Sequence, residues 1–174
     1  SYDSIDYNQE LILNESHIDL AREVSEESMV LIKNENILPF DLGENLKIGV
    51  IGRLADTENT GDLGSSDSNP PYVVTPFEGI KNYHINNSNE VYLDKANDIN
   101  KSVELAKELD QVILVVGYDY SDEGEYIMSR GQMLKSAEAK KLIGAKGVGG
   151  DRLSLKLRED DEILIKEISK VNDN

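Results

Sequence analysis

The 174-residue chain contains no cysteine. That excludes a disulfide framework and any thiolate metal site. Histidine is nearly absent too. His17 and His84 stand far apart with no ligand pattern around them, so no metal site is expected. No apolar run approaches the roughly 20 residues that a membrane-spanning helix needs. The opening residues, SYDSIDYNQE, place no basic region ahead of an apolar core. No secretory signal is therefore visible, and a cytoplasmic location is the expectation. Positive charge is scarce: 18 Lys and Arg stand against 34 Asp and Glu, a net charge of −16. Such a surface repels phosphate backbones and anionic lipid, so neither nucleic acid nor membrane is an expected partner.

What is present reads as one α/β domain, for which the length suffices. Residues 1–15 are polar and mixed, and are expected to be an arm or linker. The domain is expected to fill residues 16–174. Ser16, with Asp19 three residues on, predicts a helix cap. Leu20, Ala21, Val24, Ser28, Leu31 and Ile32 then share one face at helical spacing. Residues 34–36, Asn-Glu-Asn, stop that helix, and residues 37–40 read as a short extended segment packed on the core. KIGVIG, residues 47–52, predicts a buried parallel strand. Thr75-Pro76 predicts a cap with proline at the first helical position. Phe77, Ile80 and Tyr83 are expected to face inward. His84 to Asn89 reads as a turn, residues 90–93 as a short strand, and residues 98–109 as a helix burying Ile99, Val103 and Ala106.

The central strand is expected at residues 112–116, an unbroken apolar run closed by Gly117. Such a run predicts burial on both faces. A loop of acids follows: Asp119, Asp122, Glu123 and Glu125. In open α/β sheets, ligands bind beyond the carboxyl ends of strands, so these carboxylates stand where chemistry is usually done. After Tyr126 the composition turns basic, and Gly144, Gly147, Gly149 and Gly150 punctuate the stretch, which predicts a mobile insert over 127–149. A last helix, capped by Asp160, is expected to bury Leu164, Ile165, Ile168 and Val171. In an alternating fold such a helix should return to another parallel strand. The expectation is therefore a piece of a larger protein, with an open sheet edge that favours self-association.

Residues 53–72 form a connection longer than the usual 2 to 6 residues or so between strand and helix. They carry glycines and a serine pair, but lack the lysine of a P-loop and the spacing of a dinucleotide fingerprint. A pocket-lining loop fits them better than a phosphate cradle. Two other readings stay open from the residues alone. One is a stand-alone small-molecule or nucleotide-binding module. The other is a calcium-binding acidic domain, whose alternating ligand spacing the acid loop fits poorly.

Several segments in order resemble one family. LAREV at 20–24, EESMVLIKNE at 26–35 and LP at 38–39 are similar to the lead-in of the second domain of family 3 glycoside hydrolases. KIGVIG at 47–52 with LAD at 54–56 resembles its first strand and loop. GDLGSS at 61–66 and PPYVVTPFEGI at 70–80 resemble its glycine-serine loop and following helix. EGEY at 123–126, then GDR at 150–152 and Leu155, resemble its acid/base region. The resemblance implies a three-layer α/β/α sandwich with a mainly parallel sheet, here an incomplete part of an (α/β)6 domain. It also implies a retaining, exo-acting, β-glucosidase-like enzyme without a cofactor. Its substrate would be a β-linked glycoside, its partner a (β/α)8 barrel of the same protein supplying an Asp nucleophile. Glu123 precedes a glycine, as that family's acid/base commonly does, and is favoured over Glu125. Asp151 and Arg152 would orient the loop. No substrate-binding residue is assigned, and without the barrel the 174 residues are expected to be inactive. Two departures stand out: Asp67, where relatives tend to carry Arg, and the long insert at 127–149.

Overall fold

The computed structural model describes residues 12–40, 45–61, 68–84, 88–119, 122 and 154–173. The chain divides into two compact units, Ser1–Asp41 and Leu42–Asn174. No helix among the described residues is long and apolar enough to cross a membrane.

The first unit holds helix α1, Glu15–Ser28. Its cap is Asn14, two residues before the expected Ser16. The Asn14 side-chain oxygen accepts from the His17 amide at 2.9 Å and from the Ser16 hydroxyl at 2.8 Å. A short polar side chain at this position satisfies an amide that has no partner inside the helix. The helix ends earlier than expected, because Met29 turns to extended backbone. The residues that follow include the β-branched Val30 and Ile32, which resist the helical conformation. Asn34 then shapes a turn. It accepts from the Ile37 and Leu38 amides and donates to the Leu38 carbonyl. The apolar face read for this helix is not buried: Leu20 and Val24 are exposed, as are Leu31 and Ile32 beyond the helix end. Ile37 and Leu38, expected on the core, are also exposed.

The second unit is a parallel three-stranded sheet with helices, an α/β sandwich fold. Its strands are β1 (Lys47–Ile51), β2 (Glu90–Asp94) and β3 (Gln111–Leu114) in the order β2-β1-β3. Ile48 faces Val91 on one side and Gln111 on the other; Ile51 faces Asp94 and Leu114. The strand at the centre is therefore β1, not the 112–116 run. Ile48, Val50 and Ile51 are fully buried, whereas β3 is half-buried along its length. A long apolar run reports hydrophobicity, but burial on both faces also requires neighbours on both edges, and among the described residues only β1 has them.

Helix α2 is Pro76–His84, α3 is Ile99–Ala106 and α4 is Glu159–Ile168. Thr75 and Glu78 form a reciprocal cap on α2: the Glu78 amide donates to the Thr75 hydroxyl, and the Thr75 amide donates to the Glu78 carboxylate. Phe77 and Ile80 are half-buried, but Tyr83 is exposed and His84 takes the buried place. His84 is thus the end of the helix rather than the start of a turn. Asn89 donates to its ring nitrogen and accepts from the Leu46 amide, tying α2 to the entry of β1. Asp98 caps α3 by accepting from the Asn100 and Lys101 amides. The cap of α4 is Arg158, not Asp160, and its side chain makes no bond to the amides of the first turn. Four acids in the first turn, Glu159 to Glu162, favour that end through the helix dipole instead.

Strand alternation divides the sheet. Ile51, Tyr92, Val112 and Leu114 join Ala106 and Leu109, from α3 and just beyond it, and Leu164 and Ile168 of α4 in one core. Gly49 belongs to this face. A Cβ there would lie 2.3 Å from the Leu109 side chain. Asn172 fastens the chain after α4 by donating to the carbonyls of Ala106 and Leu109. Right-handed crossovers run in opposite directions, β1 to β2 through α2 and β2 to β3 through α3, so α2 and α3 lie on opposite faces.

Candidate functional site

The connection after β1 leads toward β2, while β3 lies on the other side of β1. Such a divergence opens a crevice at the carboxyl ends of β1 and β3. Two glycines turn the chain there, both at positive φ: Gly52 at 138° and Gly117 at 141°. At Gly52 a Cβ would meet the Val115 carbonyl oxygen at 2.2 Å. Only glycine allows the strands to remain this close as they part.

Arg53, the next residue, reaches across the crevice. Its guanidinium donates to the Gly117 carbonyl at 3.0 Å, to the Asp119 carboxylate, and to the Asp122 carboxylate at 3.4 Å. Arg158, at the head of α4, donates to the same Asp122 oxygen at 3.4 Å. The loop also closes on itself: the Asp122 amide donates to the Asp119 carbonyl at 2.9 Å, and the Asp119 amide donates to the Asp122 carboxylate at 3.3 Å. Asp122 is only 6 % exposed. Burying a carboxylate this far from water is costly unless cations and amides surround it. Here two arginines and an amide do so. Asp161, also buried, accepts from the Gly117 amide at 3.3 Å and joins α4 to the same turn.

Beside this cluster lies a cavity of about 330 Å³, lined by Arg53, Lys95, Asn97, Arg158 and Asp161 among others. Lys95 forms an ion pair with Asp56 at 3.0 Å, and the Thr75 hydroxyl donates to the other Asp56 oxygen at 3.1 Å. The Lys95 contact first, and the Thr75 hydroxyl second, hold the Asp56 carboxyl below its ordinary range. This links the post-β1 loop to the head of α2 and to the β2–α3 connection.

Of the expected acid loop, Asp119 and Asp122 are brought together at the crevice. Glu123 and Glu125 lie outside the described residues. So do Asp151 and Arg152, Asp67, and the whole insert 127–149. The arginines seen on the acid loop are Arg53 and Arg158, neither of which the sequence reading singled out. A signal existed: an acidic loop at the end of a buried strand needs counter-charge, and Arg53 is the first residue past the turn of the adjoining strand. Asp161 gave no such signal, because its burial depends on where α4 docks. Among the described residues no cluster of His, Asp and Glu could hold a metal ion, and the two loop aspartates are engaged by arginines rather than converging on a cation site.

Comparison with known proteins gives this arrangement a family. The sequence pattern of the glycosyl hydrolase family 3 C-terminal domain matches residues 29–174. A beta-xylosidase of Formosa agariphila is 27% identical over 170 residues, covering 90% of this chain and 20% of its own length. A protein named "Probable beta-glucosidase A" from Neosartorya fischeri is 28% identical over 170 residues, covering 88% of this chain and 17% of its own. The chain thus spans about a fifth of the length of these relatives. The solved structure of a family 3 β-glucosidase from Neurospora crassa superposes with a TM-score of 0.68 at 22% identity, covering 96% of this chain and 20% of that one. That likeness establishes the fold. With the family pattern matching most of its length, the chain belongs to glycoside hydrolase family 3, as the C-terminal domain.

Proposed function

We propose that this domain is part of a retaining, exo-acting β-glycosidase of the β-glucosidase type and supplies its general acid/base. The observation that carries the reading is the family match over residues 29–174, among relatives named for β-glucosidase and β-xylosidase activity. The acid loop at the carboxyl end of β3 supports it. Glu123, next in sequence to the clamped Asp122, is the proposed acid/base, with Glu125 as the second candidate. A (β/α)8 barrel of the same protein would supply the Asp nucleophile and most of the sugar pocket.

The chemistry then divides into two displacements. The nucleophile attacks the anomeric carbon, the glycosidic C–O bond breaks, and the Glu123 carboxyl gives its proton to the departing oxygen. Glu123, now a carboxylate, takes a proton from water as that water attacks the same carbon. The ester to the nucleophile breaks and the sugar leaves with retained configuration. One carboxylate cannot perform both displacements, so the 174-residue chain alone is expected to be inactive.

The test uses nitrophenyl β-glucoside and β-xyloside in parallel. The full-length polypeptide should turn over at least one of them, and its Glu123→Gln variant should be severely impaired. The isolated 174-residue chain should show no turnover above its own Glu123→Gln control. Turnover by the isolated chain above that control would overturn the division of labour. A full-length Glu123→Gln variant of undiminished activity would move the role away from Glu123.

A further inference from the structure

The arginine clamp does more than neutralise an acid. Asp122 immediately precedes Glu123 in the chain, and two arginines hold its carboxylate. Arg53 reaches it from the end of β1 and Arg158 from the head of α4. The reciprocal bonds between Asp119 and Asp122 fix the backbone on the other side. Three separate parts of the fold therefore converge on one carboxylate, one peptide bond away from the proposed acid. An aspartate that served only as loop surface would be solvated, whereas this one is nearly enclosed.

We infer that Asp122 is a positioning residue for the glycosidase reaction, its carboxylate gripped by Arg53 and Arg158 so that the chain is anchored at the residue just before Glu123. This rests on the reading of Glu123 as acid/base. The physical demand is strict. A proton donor must sit within hydrogen-bond reach of the leaving oxygen, and displacement by about 1 Å can cost on the order of 100-fold in rate. Loosening the clamp should therefore weaken proton donation rather than sugar binding. The loss should grow as the leaving group becomes poorer, because dinitrophenolate needs little protonation to depart.

The experiment compares kcat/KM for phenyl and dinitrophenyl β-glycosides in the full-length enzyme. Asp122→Asn keeps the shape and removes the charge. Its kcat/KM should fall about 10- to 100-fold for the phenyl glycoside, with a clearly smaller loss for the dinitrophenyl one. Arg158→Lys retains a cation but loses the planar fork, and should show the same pattern more weakly. If Asp122→Asn does not fold, Arg158→Lys and Arg53→Lys carry the test. Equal losses on both substrates, or no loss, would overturn the inference. Glu123→Ala is measured alongside. If it shows the leaving-group dependence and the clamp variants do not, only the positioning role fails. If Glu123→Ala lacks that dependence, the acid/base reading fails and the positioning role falls with it.

Discussion

Helices α1 and α4 look alike in sequence and differ in what surrounds them. Both carry apolar residues at helical spacing between acids. In α4, Leu164 and Ile168 are each 2 % exposed, packed with Ala106, Leu109 and Ile51. In α1, Leu20 is 56 % and Val24 60 % exposed, and no residue of the helix is buried. Periodicity therefore specifies a helix and the direction of its apolar face. Whether that face has a partner depends on topology. The crossover from β2 to β3 brings α3 over the sheet, and α4 settles beside it. Among the described residues of the first unit, no element buries the face of α1.

The sharpest way to break this comparison is to remove a side chain from α4. Leu164→Ala should destabilise the 174-residue chain by about 2–5 kcal/mol, the range for deleting a buried leucine. Urea unfolding followed by circular dichroism would measure it. A loss under about 1 kcal/mol would mean that α4 does not complete the core as described.

The same contrast explains how much could be read in advance. The alternation of strand and helix was legible because β1, β2 and β3 are short apolar runs bounded by Gly, Asn and Asp. The reciprocal cap at Thr75 and Glu78 was foreshadowed by Thr75-Pro76. The identity of the central strand was not legible, since sheet order is a long-range property: β1, interrupted by Gly49, reads as a weaker apolar run than 112–116, yet has a neighbour on each edge. The cap at Asn14 was missed because Ser16 is an equally good capping residue by type, and only backbone geometry decides between them. At the site, the location of the acid loop was legible from the end of β3. The grip of Arg53 and Arg158 was not, because those residues lie 69 and 36 positions from Asp122.

A smaller effect is expected where the charge is partly solvated. Lys95 and Thr75 lower the Asp56 pKa in the folded state. A lowered carboxyl contributes stability above its unfolded value, about 3.9, and loses it as pH falls through the folded value. Asp56→Asn should therefore unfold at lower urea than the parent at pH 7. The gap should narrow as pH falls below about 4. The Asp56 side chain keeps 30 % of its exposure, so screening keeps the gap modest. A gap that widens on acidification would reverse the sign of the interaction. A gap that stays constant would show that shape rather than charge links Asp56 to Lys95.

The smallest effect belongs to α1 and completes the comparison. Val24→Ala removes two methyl groups from a side chain already largely in water. Little apolar area is transferred back to solvent, and no cavity forms behind it. Alanine also favours the helix more than valine does, which offsets part of what contact is lost. The net change in the 174-residue chain should fall within about 0.5 kcal/mol, against several for Leu164→Ala in the same solvent and by the same probe. Two similar apolar truncations on two similar helices would then differ by the presence of a partner alone. A Val24→Ala loss above about 1 kcal/mol would show that the face of α1 is covered after all, and that the two helices are held by the same means.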